Sequence, residues 1–367
     1  MARRESTRNR PVVSIKEVAR RAGVSVGTVS HVLNGKQSVA TELRERVEKA
    51  IADTGYVRNA SASQLRSARN MAIGVVVIDI ANPFFTAVVR GAEAEAVKNG
   101  FTPLLFNSDS LTAREDAHLR YLEEQRVRGL LMTPIVAEGR RERLDKLRSR
   151  GTPVVLCNEP DDRPGVCSVS VDDVLGGELA GRHLLDIGRL RIAYLTVKAF
   201  FRPFEQRLVG LRHALAAHPL GASARLDVVA ADTLEPDEVS RQIDELLACR
   251  PDAIFCANDI AALTVLRGLL ERGIRVPEDI AVVGYDDVAY ASLSPVPLTS
   301  IRQPAYDVGR TAAQLLIEEC SGEPHTHRHV VFNPELVVRE STVASAPGRT
   351  AAVPAAERPA RKRRTDA

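Results

Sequence analysis

Residues 23–35 read GVSVGTVSHVLNG. Four Val, two Ser, one Thr and three Gly make a poor intrinsic helix, because β-branched side chains lose rotamer freedom and Gly loses backbone freedom. Yet Val26, Val29, Val32 and Leu33 recur at helical spacing, which marks a helix held by its surroundings. Upstream, Ser14 stands as an N-cap with Glu17 as its capping-box partner, and Ile15, Val18, Ala19 and Ala22 line one face. Gly23 breaks that helix. Ser25 caps the next, which runs to about Leu33 and ends at Asn34 and Gly35. Thr41 starts a third, whose Leu43, Val47, Ala50 and Ile51 form an apolar stripe before Gly55.

Two helices joined by a tight Gly-containing turn are what a helix-turn-helix requires. Ala19 lets the helices approach, and Val24, Val29 and Leu33 plug the shared core. The outer face of the second helix then carries Val26, Gly27, Thr28, Ser30 and His31, short enough to enter a major groove and touch base edges. Its weak propensity follows from a face chosen to fit DNA. The alternative for residues 14–54 is a small bundle with a solvated polar face. Charge favours the DNA reading: residues 1–70 hold fourteen Lys/Arg against six Asp/Glu, a net of +8, and residues 346–367 hold six against two, a net of +4. The whole chain is only +3, so the middle carries −9. A basic front on an acidic body suits a chain of which only the front meets a polyanion.

From residue 72 apolar β-type runs alternate with helical runs. AIGVVVIDI, PLLFNSD, GLLMTPI and PVVLCN are separated by helices near 84–99, 112–127 and 138–150. RIAYLTV, LDVVAAD, AIFCAND and IAVVGYDD follow, with helices near 174–188, 203–217, 236–249 and 260–273. Continuous apolar strands alternating with helices predict parallel sheets covered on both faces. Two such series predict two α/β lobes with a ligand crevice at the carboxyl ends of the strands. At those ends Asp79 can accept hydroxyl protons, Phe84 and Phe85 can stack on a sugar face, and Asn158 closes PVVLCN. Phe84 as a core residue is the open alternative.

No run reaches the roughly 18 apolar residues of a membrane span, and the basic start MARRESTRNRP lacks the apolar stretch of a secretory signal. The expectation is a cytoplasmic protein with no membrane partner. Cys157, Cys167, Cys249, Cys256 and Cys320 share no C-x-x-C spacing and read as reduced thiols, mostly buried in apolar strands. No P-loop, G-x-S-x-G or H-E-x-x-H is present, so the chain is not expected to be an enzyme or to need a cofactor. The H-T-H-R-H run at 325–329 fits a water-exposed strand or loop better than a structural metal site, and no metal is expected.

SIKEVARRAGVSVGTVSHVLNG, followed by RERVEKAIADTGYVRNASASQLRS, closely resembles the amino terminus of the LacI-type bacterial transcription regulators, the lactose and purine repressor family. N-P-F-F, A-N-D and V-V-G-Y-D-D follow in order, and the likeness runs to about residue 341. The resemblance implies a small all-α helix-turn-helix headpiece on an α/β two-lobed periplasmic-binding-protein-like body with two parallel doubly wound sheets. It implies a homodimer reading near-palindromic double-stranded operator DNA under control of a small-molecule effector bound between the lobes. Val26, Gly27 and His31 match the specificity positions, and Asn34 and Tyr56 match backbone-contacting or headpiece-packing positions. Where relatives usually carry Arg, this chain has His31, and where they carry Ser it has Ala40. An imidazole cannot grip guanine bidentately as a guanidinium does, which shifts the operator sequence.

NASASQLRS at 59–67 resembles the family's hinge helix, and Leu65 matches the residue wedged into the minor groove. A segment that short is no stable helix alone, so a small bias orders or melts it. In the body, Arg207 of R-L-V-G, Asn258 of A-N-D and Asp286 of G-Y-D-D match effector contacts. Donors and acceptors together suit a polyhydroxylated ligand, a carbohydrate before a purine. Helix capping by Asn258 and turn closure by Asp286 remain open. The tail shows no Leu heptads, so a dimer is expected and no tetramer. The expected boundaries are 1–58 for the headpiece (1–12 a disordered tail), 59–71 for the hinge, 72–343 for the effector domain, and 344–367 for a disordered basic tail. Lobe 1 takes about 72–170 and 302–328, lobe 2 about 171–301 and 329–343. An operator-binding regulator explains front, hinge and body together, whereas a solute-binding protein explains the body alone.

Overall fold

A computed structural model describes residues 13–33, 39–56, 70–135, 139–159, 163, 165–199 and 201–343. The chain divides into two compact units between Asn70 and Met71. Among its described residues the first holds three helices, α1 (Ile15–Ala22), α2 (Val26–Leu33) and α3 (Thr41–Thr54). Ser14 caps α1 through the Glu17 amide, while the Glu17 carboxylate turns to Arg20 rather than closing the expected box. Gly23 ends α1 at φ 63°, a left-handed conformation that a side chain resists, and a Cβ there would meet the Arg46 guanidinium at 2.7 Å. That guanidinium holds the turn by donating to the carbonyls of Ala22 and Gly23. Val18, Ala19, Ala22, Val29, Val32, Val47 and Ala50 form the buried core, with Val24 and Leu33 at its margin.

The second unit carries two six-stranded sheets. The first is ordered β2-β1-β3-β4-β5-β11: β1 (Ala72–Val77), β2 (Thr102–Asn107), β3 (Gly129–Met132), β4 (Val154–Cys157), β5 (Cys167–Val171) and β11 (His329–Phe332). The second repeats the pattern as β7-β6-β8-β9-β10-β12: β6 (Arg191–Val197), β7 (Arg225–Ala231), β8 (Ala253–Cys256), β9 (Ala281–Asp286), β10 (Thr299–Arg302) and β12 (Glu335–Val337). Among the described strands only β12 runs antiparallel to its neighbour. Helices α4 (Pro83–Lys98), α5 (Thr112–Glu124), α6 (Arg140–Ser149) and α12 (Ala305–Cys320) accompany the first sheet. Helices α7 (Asp173–Asp186), α8 (Arg202–Ala217), α9 (Pro236–Ala248), α10 (Asp259–Glu271) and α11 (Ala289–Leu293) accompany the second. Each sheet has a hydrophobic core on both faces, which is why the strands read as continuous apolar runs.

The chain therefore passes between the lobes three times, after β5, after β10 and after β11. The third crossing departs from the expected boundary at 329. His329–Phe332 pairs in parallel with β5, His329 opposite Ser168, and Val330 and Phe332 pack on the first lobe's core. The return to the second lobe thus falls after Phe332. In each lobe one helix pair crosses at glycines. A Cβ on Gly91 or Gly309 would lie 2.0 or 1.8 Å from a carbonyl of the facing helix, and on Gly177 or Gly210 2.0 or 1.9 Å.

Candidate DNA interface and ligand cleft

On α2 the structure exposes Ser25, Gly27 and His31, with Thr28 and Ser30 half-buried behind them. Ser25 caps the helix: its Oγ accepts the Thr28 amide at 3.0 Å and pairs with the Thr28 hydroxyl at 2.9 Å. Val26 is less available than expected, because part of its side chain packs on the headpiece core. Tyr56 also packs there, which supports its headpiece-packing role. Asn34 and Leu65 lie outside the described residues. Ala40 occupies the N-cap of α3 with no side-chain acceptor for the orphan amides.

In the body, Asn158, Asn258 and Asp286 stand at the carboxyl ends of β4, β8 and β9 and Asp79 just after β1, whereas Phe84 and Phe85 lie in the first turn of α4 and Arg207 within α8. Asp286 ends β9 and is buried. It accepts from Gln303 Nε2 at 2.7 Å and, across the cleft, from Asn82 Nδ2 at 3.5 Å. Burial pushes its carboxyl up to about 6, although Arg207, Gln303 and Asn82 pull the other way. A second bridge between lobes joins Arg202 to Glu159 at 3.7 Å, and Phe201 packs against the first lobe's core. Asn158 follows β4 at φ 57°, buried, with an Oδ1 that accepts no hydrogen bond, and Gln303 Oε1 is likewise unpaired.

Arg207 is 2% exposed and held from three sides. Its Nε donates to Asp173 at 2.8 Å, its Nη1 to the Ala257 carbonyl, and its guanidinium lies 3.5 Å from the Tyr285 ring centroid. Such a charge-assisted, stacked guanidinium is fixed in direction before any ligand arrives. Burial raises the Asp173 carboxyl while Arg207 lowers it again. Arg207 is thus a structural member of the second lobe's core, and Asp173 and Tyr285, its supports, were missed by sequence reading. The charged pair closes only when α7, α8 and β9 assemble, so no local pattern announces it.

Four expectations change. Phe84 and Phe85 are 4% and 6% exposed, pack edge to face at 5.1 Å and belong to the first lobe's core, so they do not offer a stacking face. Pro83 starts α4 just before them, and its first turn points both rings at the sheet. Asn258 caps α10 by accepting the Ala261 amide at 2.9 Å, and neighbouring Asp259 holds the loop after β9 through the Val288 amide and Ser300. Asp79 is half-buried and spends one oxygen on the Ala81 amide at 2.8 Å. The H-T-H-R-H run is not uniformly exposed: the His325 side chain is 10% exposed and lies against Cys167.

Cys157, Cys167, Cys256 and Cys320 are buried and Cys249 half-buried, all as free thiols. Burial pushes the Cys157 thiol up to about 12, far from nucleophilic at neutral pH. No helix among the described residues is long and apolar enough to cross a membrane.

Comparison with known proteins agrees with this architecture. Residues 14–59 match the model of bacterial regulatory proteins of the lacI family, and residues 182–342 match a periplasmic binding protein-like domain. The HTH-type transcriptional repressor PurR of Aliivibrio fischeri strain MJ11 is 34% identical over 338 residues, 90% of this chain and 99% of its own length. A transcriptional regulator CelR in complex with cellobiose is 31% identical with a TM-score of 0.65, covering 90% of this chain and 99% of its own. The lac repressor dimer bound to operator and the anti-inducer ONPF is 27% identical with a TM-score of 0.76 over the same shares. The chain belongs to the LacI family of bacterial regulatory proteins, a DNA-binding transcription repressor with a ligand-binding body.

Proposed function

We propose that the chain is a dimeric repressor that reads a near-palindromic operator with α2 and whose grip is set by a polyhydroxylated small molecule, a sugar or sugar derivative, between the lobes. The observation that carries the ligand class is the surplus of acceptors in the cleft. Asp286 is a buried carboxylate, and Asn158 Oδ1 and Gln303 Oε1 are buried oxygens with no donor among the described residues. An unpaired buried acceptor costs about 1–3 kcal/mol, which a ligand hydroxyl recovers. A purine-like ligand, the second reading, brings fewer donors to those oxygens. The relative solved with cellobiose supports the sugar reading; the lac repressor solved as a dimer on operator supports the dimer and the DNA.

Closing the lobes on such a ligand fixes the three crossings between the sheets, and this two-state element is what a ligand can bias. Val26, Gly27 and His31 would then choose bases, Ser25, Thr28, Ser30 and Asn34 would hold backbone or edges, and Leu65 would open the minor groove. A melting-temperature screen of sugars and nucleobases tests the proposal. A sugar that stabilises the full-length chain, with nucleobases inert, is expected. Stabilisation by nucleobases alone would transfer the assignment to the purine reading.

A further inference from the structure

We infer that Cys167, Glu319, His325 and His327 form a binding site for one divalent transition-metal ion of the zinc type, fastening the return from α12 to the edge strand β11. These residues come from the start of β5, the last turn of α12 and the loop beyond it, and nothing in the DNA or ligand machinery uses them. One donor atom from each converges within 4.8 Å of the others. Cys167 Sγ lies 3.1 Å from His325 Nε2 and 3.6 Å from His327 Nδ1, and Glu319 Oε1 lies 3.9 Å and 3.6 Å from the same two nitrogens. Four ligands at bond lengths of roughly 2.0–2.3 Å around a tetrahedral ion stand about 3.3–3.8 Å apart, so the observed spacings need only small adjustments.

The surroundings fit as well. Glu319 Oε1 is shielded from water and accepts no hydrogen bond. His325 turns its other ring nitrogen to Glu318 at 3.5 Å, and Glu318 is held in turn by Arg328. A carboxylate behind a ligating imidazole is the usual way a metal site fixes ring orientation. The Arg328 amide points at Cys167 Sγ at 3.4 Å, the donor a thiolate wants. His329, next in the H-x-H-x-H run, is diverted to the Ser168 hydroxyl and takes no part. One sulfur, two imidazoles and one carboxylate select zinc-like ions over magnesium or calcium, which prefer oxygen alone. All four ligands come from the protein, which makes the site structural rather than catalytic, and exposed His327 gives the ion a way in.

The test uses untagged full-length chain stripped with a chelator, with Co²⁺ and Zn²⁺ as probes. One equivalent of Co²⁺ should give a thiolate-to-cobalt charge-transfer band and tetrahedral d–d bands, both abolished by one equivalent of Zn²⁺. H327A, which removes an exposed side chain and so keeps its fold, should bind Zn²⁺ at least tenfold more weakly, and the rise in melting temperature that Zn²⁺ gives the parent should shrink with it. C167S should lose the charge-transfer band, whereas C249S should keep it. Binding well below one equivalent, a missing thiolate band, or H327A matching the parent would overturn the site and leave the four residues as an ordinary hydrogen-bonded cluster.

Discussion

Arg207→Ala ought to damage the whole body before it reports on ligand. The guanidinium is 2% exposed and its partner Asp173 3%, so truncation leaves a carboxylate buried without its cation. Breaking a buried pair from one side costs about 3–5 kcal/mol, and loss of the Tyr285 cation–π contact adds up to about 2. That is a large share of the roughly 5–15 kcal/mol that holds a typical domain. Arg207→Met with Asp173→Asn removes both charges while keeping most of the volume, and should recover most of the loss. Urea denaturation of the full-length chain, followed by a probe in the second lobe, measures both. A single variant within about 1 kcal/mol of the parent would refute the reasoning, as would a double variant no more stable than the single. The functional corollary is practical: ligand affinity has to be compared in the double variant, where a tenfold or greater weakening is expected if Arg207 also touches ligand.

Asp286 should make stability depend on pH. Its carboxyl is raised to about 6 by burial, so its contribution is fully present below the unfolded value near 3.8 and is lost as pH rises through 6, about 3 kcal/mol in all; Asp286→Asn should remove that component of denaturation curves taken between pH 4 and 7. Gly210→Ala sets a Cβ 1.9 Å from the Val174 carbonyl, a backbone atom that cannot step aside, and should cost at least about 3 kcal/mol by the same assay. Ala40→Ser supplies the missing N-cap acceptor of α3 and should stabilise that helix by about 1 kcal/mol, seen as roughly fivefold slower hydrogen exchange in its first turn. DNA affinity should fall steeply with salt, each phosphate contact adding about 0.9 to the log–log slope, and a flat response would speak against α2 as the reader.

What the sequence made legible follows from periodicity. The three N-terminal helices, the Gly23 and Gly55 stops and the alternating strands and helices of both lobes are local patterns, and they fall within a few residues of their observed ends. What it hid is what depends on distant segments meeting. HVVF at 329–332 is a short edge strand whose partner is CSVSV at 167–171, more than 150 residues away, and that pairing puts 329–332 in the first lobe. Phe84 and Phe85 next to a strand end look like ligand platforms, yet the turn of α4 after Pro83 sends both inward. Asp173 and Tyr285 carry no motif, and Cys167 lies 158 residues from His325, so neither the Arg207 cradle nor the Cys-Glu-His-His cluster can be seen along the chain. Local capping competes with function at Asn258 and Asp79, where one side chain satisfies backbone amides first.

The central claim is that occupancy of the cleft alters how firmly the N-terminal unit holds DNA. It is tested most directly by measuring the affinity of the full-length chain for a site selected from random duplex DNA, with and without the small molecule that raises its melting temperature. A coupling of typical size changes that affinity by at least about fivefold, in either direction. The account predicts such a change in the parent and its loss in a cleft variant such as Asp286→Asn; equal affinity at saturating ligand would contradict it.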